Sequence, residues 1–239
     1  MPYQKLFDKH VIGRQFNSCQ LLKLLVGNNL YPINHEIIRV NKQDVILKEG
    51  NRHKYMYFIQ SGLFSVAKEG RIKGFLKESE VIGMTNILVN EESSFTVTAL
   101  TGSLLLRFTK EDVMLKLVHL QEGLFFLYND IKIMNQYMIQ RDLLQVTDAK
   151  DRIKVNIAYL GKLYGKEDKH HIILPKVFTK KIISNFVNVT STTVYKICRE
   201  LEEEGFLGKD GQDIEVNKEN AVYELAIVDE MNKEREAFF

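Results

Sequence analysis

Cysteine is scarce: the 239-residue chain has two, Cys19 and Cys198, far apart and without a CxxC spacing. That excludes a four-cysteine iron–sulfur or zinc site built within one chain. Both thiols sit in apolar helical patterns, which predicts packing roles, with redox sensing by a free thiol as the alternative. No uninterrupted apolar run approaches the roughly 20 residues that cross a bilayer. The opening MPYQKLFDKHVIGRQF also lacks the charged-then-apolar layout of a secretory signal, so the expected location is the cytoplasm. A Gly-rich phosphate loop, a nucleophile elbow and an HExxH pair are all missing. His170 and His171 lie beside Glu167 and Asp168, but neighbours on an extended segment point to opposite sides and give no two-ligand spacing. No catalytic residue, metal ligand or cofactor is assigned, and an enzyme is not expected.

What is present is a chain 45% hydrophobic and 27% charged with a net charge of +2, enough for two modest cores. So small a net charge leaves nucleic-acid affinity to local arrangement. Residues 1 to about 30 read as a helical cover ending near Gly27. From Glu36 to Phe108 short alternating runs broken by turn residues (IIRV, VILKEG, YMYFIQSG, LFSVAKEG, RIKGFLKE, FTVTALTG, SLLLRF) predict a compact antiparallel barrel or jelly roll. Near Lys110 the texture changes. Leu124, Leu127, Ile131, Met134 and Met138 recur at alternating spacings of three and four, continuing to Arg141 and Gln145, a heptad seam on a helix expected from about Leu117 to Val146. The partner predicted for that seam is the same helix of a second copy, and the alternative is packing within one chain through Phe125, Phe126, Tyr128 and Ile139.

The small and charged residues Thr147 to Arg152 suggest a hinge, which gives expected boundaries of 1–110, 111–148 and 149–239. Beyond it, Phe178 to Leu207 reads as two short helices around a tight turn. Thr179 caps a first helix whose Ile182, Ile183 and Phe186 form one buried stripe. Asn188 supplies the left-handed exit, and Val189 plugs the turn. Thr190 caps a second helix that buries Val194, Ile197, Cys198 and Leu201 and turns Ser191, Thr192, Tyr195, Lys196 and Arg199 outward. No acid occurs between Asp168 and Glu200, whereas Lys169, Lys176, Lys180, Lys181, Lys196 and Arg199 do. An anionic partner suits that surface. Asp210-Gly211 between FLGKD and QDIEVNK signals a hairpin, hence a wing. Two amphipathic helices of an ordinary bundle with a solvated basic face are the alternative.

Barrel, seam helix and winged helix-turn-helix, in that order, resemble the CRP/FNR family of bacterial transcription regulators. The likeness rests on Lys48-Glu49-Gly50, Tyr57-Phe58-Ile59 with Ser61-Gly62, Val81-Ile82-Gly83 and Thr96 to Leu100. In the C-terminal part it rests on Thr179-Lys180, Ile183, Val194, Lys196-Ile197 and Leu201 to Leu207. The resemblance implies an α+β chain with a cyclic-nucleotide-binding-like barrel, acting as a homodimer on a palindromic DNA operator, with RNA polymerase as a further partner. It assigns DNA contacts to Thr179, Lys180, Ser191, Thr192, Thr193, Tyr195, Lys196 and Arg199. The departures matter equally. Nucleotide-binding members carry a Glu after the cassette glycine and an Arg before the next strand, where this chain has Met84 after Gly83 and Ser93-Ser94-Phe95.

A buried phosphate without its cation is under-compensated by several kcal/mol, so dependence on cyclic AMP is not expected, as in the PrfA-like subgroup. Ile82, Gly83, Met84, Thr85 and Phe95 are the candidates for lining an effector pocket. Any effector is expected to be apolar, peptide-like or a protein, and the alternative is a barrel that only scaffolds. An N-terminal cysteine cluster for an FNR-type iron–sulfur centre is missing, and His53, the one candidate haem ligand in the barrel, reads as a solvent-facing loop residue. Ser191-Thr192 replaces the family's Arg-Glu pair, so the operator should differ from the familiar CRP half-site. A regulatory module acting only through protein partners would predict a neutral or acidic second helix in place of Lys196 and Arg199.

Overall fold

The computed structural model describes residues 8–27, 31–120, 122–145, 148–208 and 213–236. The chain divides into two compact units, one built on residues up to Gln136 and the other on Tyr137–Arg235.

In the first unit the expected single cover helix is two: α1 (Lys9–Gln15) and α2 (Ser18–Val26). The break at Phe16 and Asn17 has a local cause, because the Asn17 side chain accepts a hydrogen bond from Gln20 N at 3.0 Å and starts a new helix. Cys19 is exposed on α2, contrary to the packing role expected for it. Eight strands follow: β1 (Glu36–Val40), β2 (Val45–Leu47), β3 (Tyr55–Ser61), β4 (Phe64–Lys68), β5 (Arg71–Leu76), β6 (Val81–Ile82), β7 (Thr96–Ala99) and β8 (Ser103–Thr109). They form two antiparallel four-stranded sheets, ordered β1-β8-β3-β6 and β2-β7-β4-β5, which is the expected jelly roll. Between the sheets lie Leu47, Tyr57, Ile59, Phe64, Ile82, Val97 and Leu105. The opposite face of the first sheet presents Met56, Phe58, Leu106 and Phe108 to Ile12, Phe16, Leu21, Leu25, Val113 and Leu117 of the helices. Alternation along β3 and β8 thus feeds two cores at once.

The helical stretch after the barrel is broken too. The first helix, α3 (Lys110–Val118), packs Val113 and Leu117 into the helix-side core and sends buried Lys116 to the carbonyls of Leu25 (3.4 Å) and Gly27 (2.9 Å) at the end of α2. A separate helix, α4 (Gly123–Leu143), carries the seam. A Cβ on Gly123 would lie 2.0 Å from the Leu117 carbonyl oxygen, so only glycine lets the chain turn there.

In the second unit Asp148 caps α5 (Ala149–Tyr164), accepting from Lys150 N and Asp151 N. Residues Ala149 to Arg152, expected in a hinge, are therefore the first turn of a helix, while Thr147 lies outside the described residues. Then come β9 (Lys166–Glu167), β10 (His171–Ile173), α6 (Lys180–Val187), α7 (Ser191–Glu203), β11 (Glu215–Asn217) and α8 (Val222–Glu236). The small sheet is ordered β11-β10-β9. Its buried residues Ile172 and Val216 are accompanied by Ile153, Ile157, Ile183, Phe186, Val194, Leu201 and Val228 from the helices.

Candidate nucleic-acid interface

The α6–turn–α7 segment is held by four local devices. The Thr179 hydroxyl accepts from Ile182 N at 3.2 Å, and the Thr190 hydroxyl accepts from Thr193 N at 3.1 Å. Between them Asn188 stands in the left-handed region at φ 57°, with its N–H on Ser184 O. Val189 N also reaches Ser184 O, at 3.1 Å. Across the turn, the hydroxyls of buried Ser184 and of Ser191 lie 3.0 Å apart. The buried set of α6 is Ile183, Ser184, Phe186 and Val187, with Ile182 only half-buried, so the stripe sits one position further along than expected. In α7 the buried residues are Val194, Ile197, Cys198 and Leu201, and burial pushes the Cys198 thiol above its ordinary pKa.

This arrangement sorts the expected contact residues. Thr192, Tyr195, Lys196 and Arg199 follow an i, i+3, i+4, i+7 spacing, are exposed and line one open cleft on α7. Ser191 and Thr193 are engaged in the turn, the latter with its hydroxyl 2.8 Å from that of Thr190. Lys180 is drawn toward α7, 5.2 Å from the Tyr195 ring centroid and 3.6 Å from Glu202 Oε1, so it also braces the two helices. Thr179 caps α6 with its oxygen and has a hydroxyl proton to offer a phosphate. Lys196 and Arg199 are 79% and 83% exposed and, among the described residues, pair with Glu200 and Glu203 of their own helix, at 3.9 and 3.8 Å. Exposed i, i+4 pairs contribute about 0.3–0.5 kcal/mol, too little to hold these cations against a polyanion.

After α7, Phe206 O accepts from Asn217 N at 3.0 Å and Gly208 N donates to Glu215 O at 2.9 Å, which makes an antiparallel pair. Its Asp210-Gly211 turn lies outside the described residues. The Asp168 carboxylate accepts the backbone N–H groups of His170 (2.8 Å) and His171 (2.7 Å), and these two bonds hold it below the ordinary carboxylate range. This cluster builds the β9–β10 turn. Among the described residues no group of three or more His, Cys, Asp or Glu side chains could hold a metal ion, and no helix is long and apolar enough to cross a membrane.

The effector-pocket candidates are divided by the fold. Gly83 stands at φ 93°, with space for a Cβ only 3.4 Å from Tyr55 O. That turn sends Ile82 into the core between the sheets and Met84 into the helix-side core with Met56 and Phe108. Thr85 and Phe95 are half-buried. Ser93, in the stretch where nucleotide binders carry an Arg, is 6% exposed and committed to structure: its backbone pairs with Gly50 N and Asn51 O, and its hydroxyl donates to Phe95 O at 2.7 Å. His53 is half-buried rather than solvent-facing, and its Nε2 accepts from Lys48 N at 3.1 Å.

On α4, Leu124 is 70% and Ile131 60% exposed, and Leu127, Met134 and Met138 are half-buried. The other side of the helix faces inward, with Phe125 and Phe126 each 5.1 Å from the Phe16 ring centroid and Asn129 Nδ2 donating to Phe16 O. Phe125, Phe126 and, in part, Leu127 pack within the chain, while Leu124 and Ile131 of the heptad stripe are exposed. One element, α8, escaped the sequence reading, and Arg141, which continues the heptad spacing, is buried against α6.

Residues 37–118 match the family model of the cyclic nucleotide-binding domain. No curated protein sequence matches the chain. Solved structures share its fold at low identity. FixK2 from Bradyrhizobium japonicum is 15% identical with a TM-score of 0.66, over 80% of this chain and 96% of that one. The c-di-GMP responsive global regulator CLP from Xanthomonas campestris is 15% identical with a TM-score of 0.64, over 77% and 94%. A CRP/FNR-family transcriptional regulator from Thermus thermophilus is 18% identical with a TM-score of 0.54, over 83% and 98%. The chain has the α+β fold of CRP/FNR-type regulators.

Proposed function

We propose that this protein is a CRP/FNR-type transcription regulator that binds a palindromic DNA operator as a homodimer and does so without cyclic AMP. The observation that carries the reading is the face of α7, where Thr192, Tyr195, Lys196 and Arg199 stand exposed on one side of a helix whose other side is fully buried. Such a helix, entered through a capped turn and followed by a wing, has the form that lies in the major groove. Thr192 and Lys196 reach base edges, and Arg199, Thr179 and Lys180 meet phosphates, the last two at the N-terminus of α6. The uncovered stripe on α4 supplies the second copy. Two recognition helices related by a twofold axis call for half-sites about one helical turn, roughly 34 Å, apart.

The test is selection of bound duplexes from a random pool, followed by binding at several salt concentrations. A palindromic site should emerge. Lys196→Ala should weaken specific binding by about 1–3 kcal/mol if the ammonium reads a base, or lower the salt slope by about one if it holds a phosphate. Failure to enrich any sequence, with binding that stays weak at low salt, would sink the reading.

A further inference from the structure

The only aromatic residue of α7 is Tyr195, and it is 57% exposed. It follows Ser191 by four positions and so lies in the N-terminal half of the helix, the part of a recognition helix that reaches base edges. At 100° per residue, Arg199 lies about 40°, Thr192 about 60° and Lys196 about 100° round the helix from Tyr195, all on the same side. Tyr195 therefore forms one margin of the exposed face. Glu202, seven residues on, stands about 20° beyond it on the other side. The Lys180 ammonium at the start of α6 occupies that margin, over the Tyr195 ring at 5.2 Å from its centroid and 3.6 Å from Glu202 Oε1. Lys180 and Glu202 are both half-buried. A cation over an aromatic face is attracted by the ring's negative quadrupole, so one face of the ring is braced by the protein. What remains open to a partner is carbon edge and hydroxyl.

We propose that Tyr195 is a specificity-determining residue that reads the 5-methyl group of a thymine in each half-site, and that Lys180 is the positioning residue that holds its ring. The thymine methyl is the apolar group among the base edges of the major groove, where the other groups on display are hydrogen-bond donors and acceptors. Thr192, Lys196 and Arg199 offer a hydroxyl and two cations, which suit acceptors on bases and phosphates. Tyr195 adds the apolar surface that those three lack. A ring already braced loses little further freedom on contact, and it gains by taking a methyl group out of water. Tyr195, Lys180 and Glu202 all belong to the second compact unit, so the contact is built within one DNA-binding unit. The inference rests on the proposed reading of the chain as a DNA-binding regulator.

The test uses the full chain and the duplex selected from a random pool. Each thymine of the half-site is exchanged in turn for deoxyuridine, in both half-sites, which deletes a methyl group and keeps every donor and acceptor. Burial of one methyl group corresponds to about a fourfold change in affinity per half-site, roughly 15-fold for the palindrome. At one thymine position the wild-type chain should lose that much, and Tyr195→Phe, which keeps the ring, should lose the same. Tyr195→Ala should bind the two duplexes equally, and Lys180→Met, which removes the ammonium, should show a smaller ratio. Each result compares two duplexes on one protein, so a general loss of stability or of a phosphate contact cancels. Indifference of the wild-type chain to every exchange overturns the proposal and leaves the operator reading intact. A penalty in Tyr195→Ala as large as in the wild type does the same, and an unchanged ratio in Lys180→Met removes Lys180 from the positioning role. A uniform loss in Tyr195→Phe without any thymine preference would assign the hydroxyl to a phosphate instead. If no duplex is enriched at all, the operator reading falls and this assignment with it.

Discussion

Asp130 sits on α4 between Asn129, which is pinned to α1, and the exposed seam residue Ile131, and burial pushes its carboxyl up to about 7. An acid whose pKa is higher in the folded than in the unfolded state binds more protons when folded. Stability is therefore greater below about pH 4, where the proton is kept in both states, and declines as pH rises towards 7. The slope approaches about 1.4 kcal/mol per pH unit inside that window. Asp130→Asn should remove the decline and raise stability on the order of 1–3 kcal/mol at pH 8 while changing little at pH 4. Denaturant melts at the two pH values decide it, and equal effects at both would show that burial does not perturb this group. Other residue roles were legible because their chemistry is local. Thr179, Asn188 and Thr190 could be assigned from capping and left-handed preferences alone. Arg141 could not, since its spacing continues the heptad seam after Met138, and only the fold brings the Phe186 carbonyl to it. Cys19 failed for the opposite reason: it stands just before the apolar run of Leu21 to Val26, yet it points away from the stripe formed by Leu21 and Leu25.

At the scale of elements, α4 joins two unlike faces. Phe125, Phe126 and Asn129 are committed to the chain's own core, whereas Leu124 and Ile131 of the heptad stripe are exposed. Replacing Ile131 and Met134 together with Asp places like charges on both sides of a twofold seam and leaves the inward face intact. The double variant should sediment as a folded monomer with its helical signal retained, and a variant that remains dimeric would place the interface elsewhere. The helix was readable because its apolar spacing persists over two heptads. The breaks before it were not, because Gly123 matters through its approach to the Leu117 carbonyl, a contact invisible in sequence. The final helix, α8, was overlooked although Ala221, Glu224, Val228 and Met231 are buried at spacings of three and four. Exposed Val222 and Tyr223 mask that period, and one of the four buried positions is an acid, Glu224, paired with Lys154 at 2.9 Å.

At the scale of the whole molecule, the question is what the jelly roll senses. Gly83 stands at φ 93°, a conformation that favours glycine at this turn. The groups needed to neutralise a cyclic phosphate are missing nonetheless. Met84 turns into the helix-side core, and Ser93 is consumed in bonds to Gly50, Asn51 and Phe95. An anion entering there would lose its hydration without gaining a bidentate cation, a deficit of several kcal/mol. A ligand shifts a conformational equilibrium only by its differential affinity for the two states, so a nucleotide that does not bind cannot switch the protein between them. Calorimetry with cyclic AMP and cyclic GMP should show no heat of binding, and operator affinity should be the same with and without either. The converse change is equally specific. Met84→Glu with Ser94→Arg introduces an acid beside the cassette glycine and a cation on an exposed residue that Asn86 already holds, with Ser94 N donating to Asn86 Oδ1 at 3.3 Å. If missing charge is what excludes the nucleotide, the double variant should gain measurable heat with cyclic AMP. Micromolar binding by the wild-type chain that also tightens its grip on DNA would overturn the assignment of Met84 and Ser93 to structural roles.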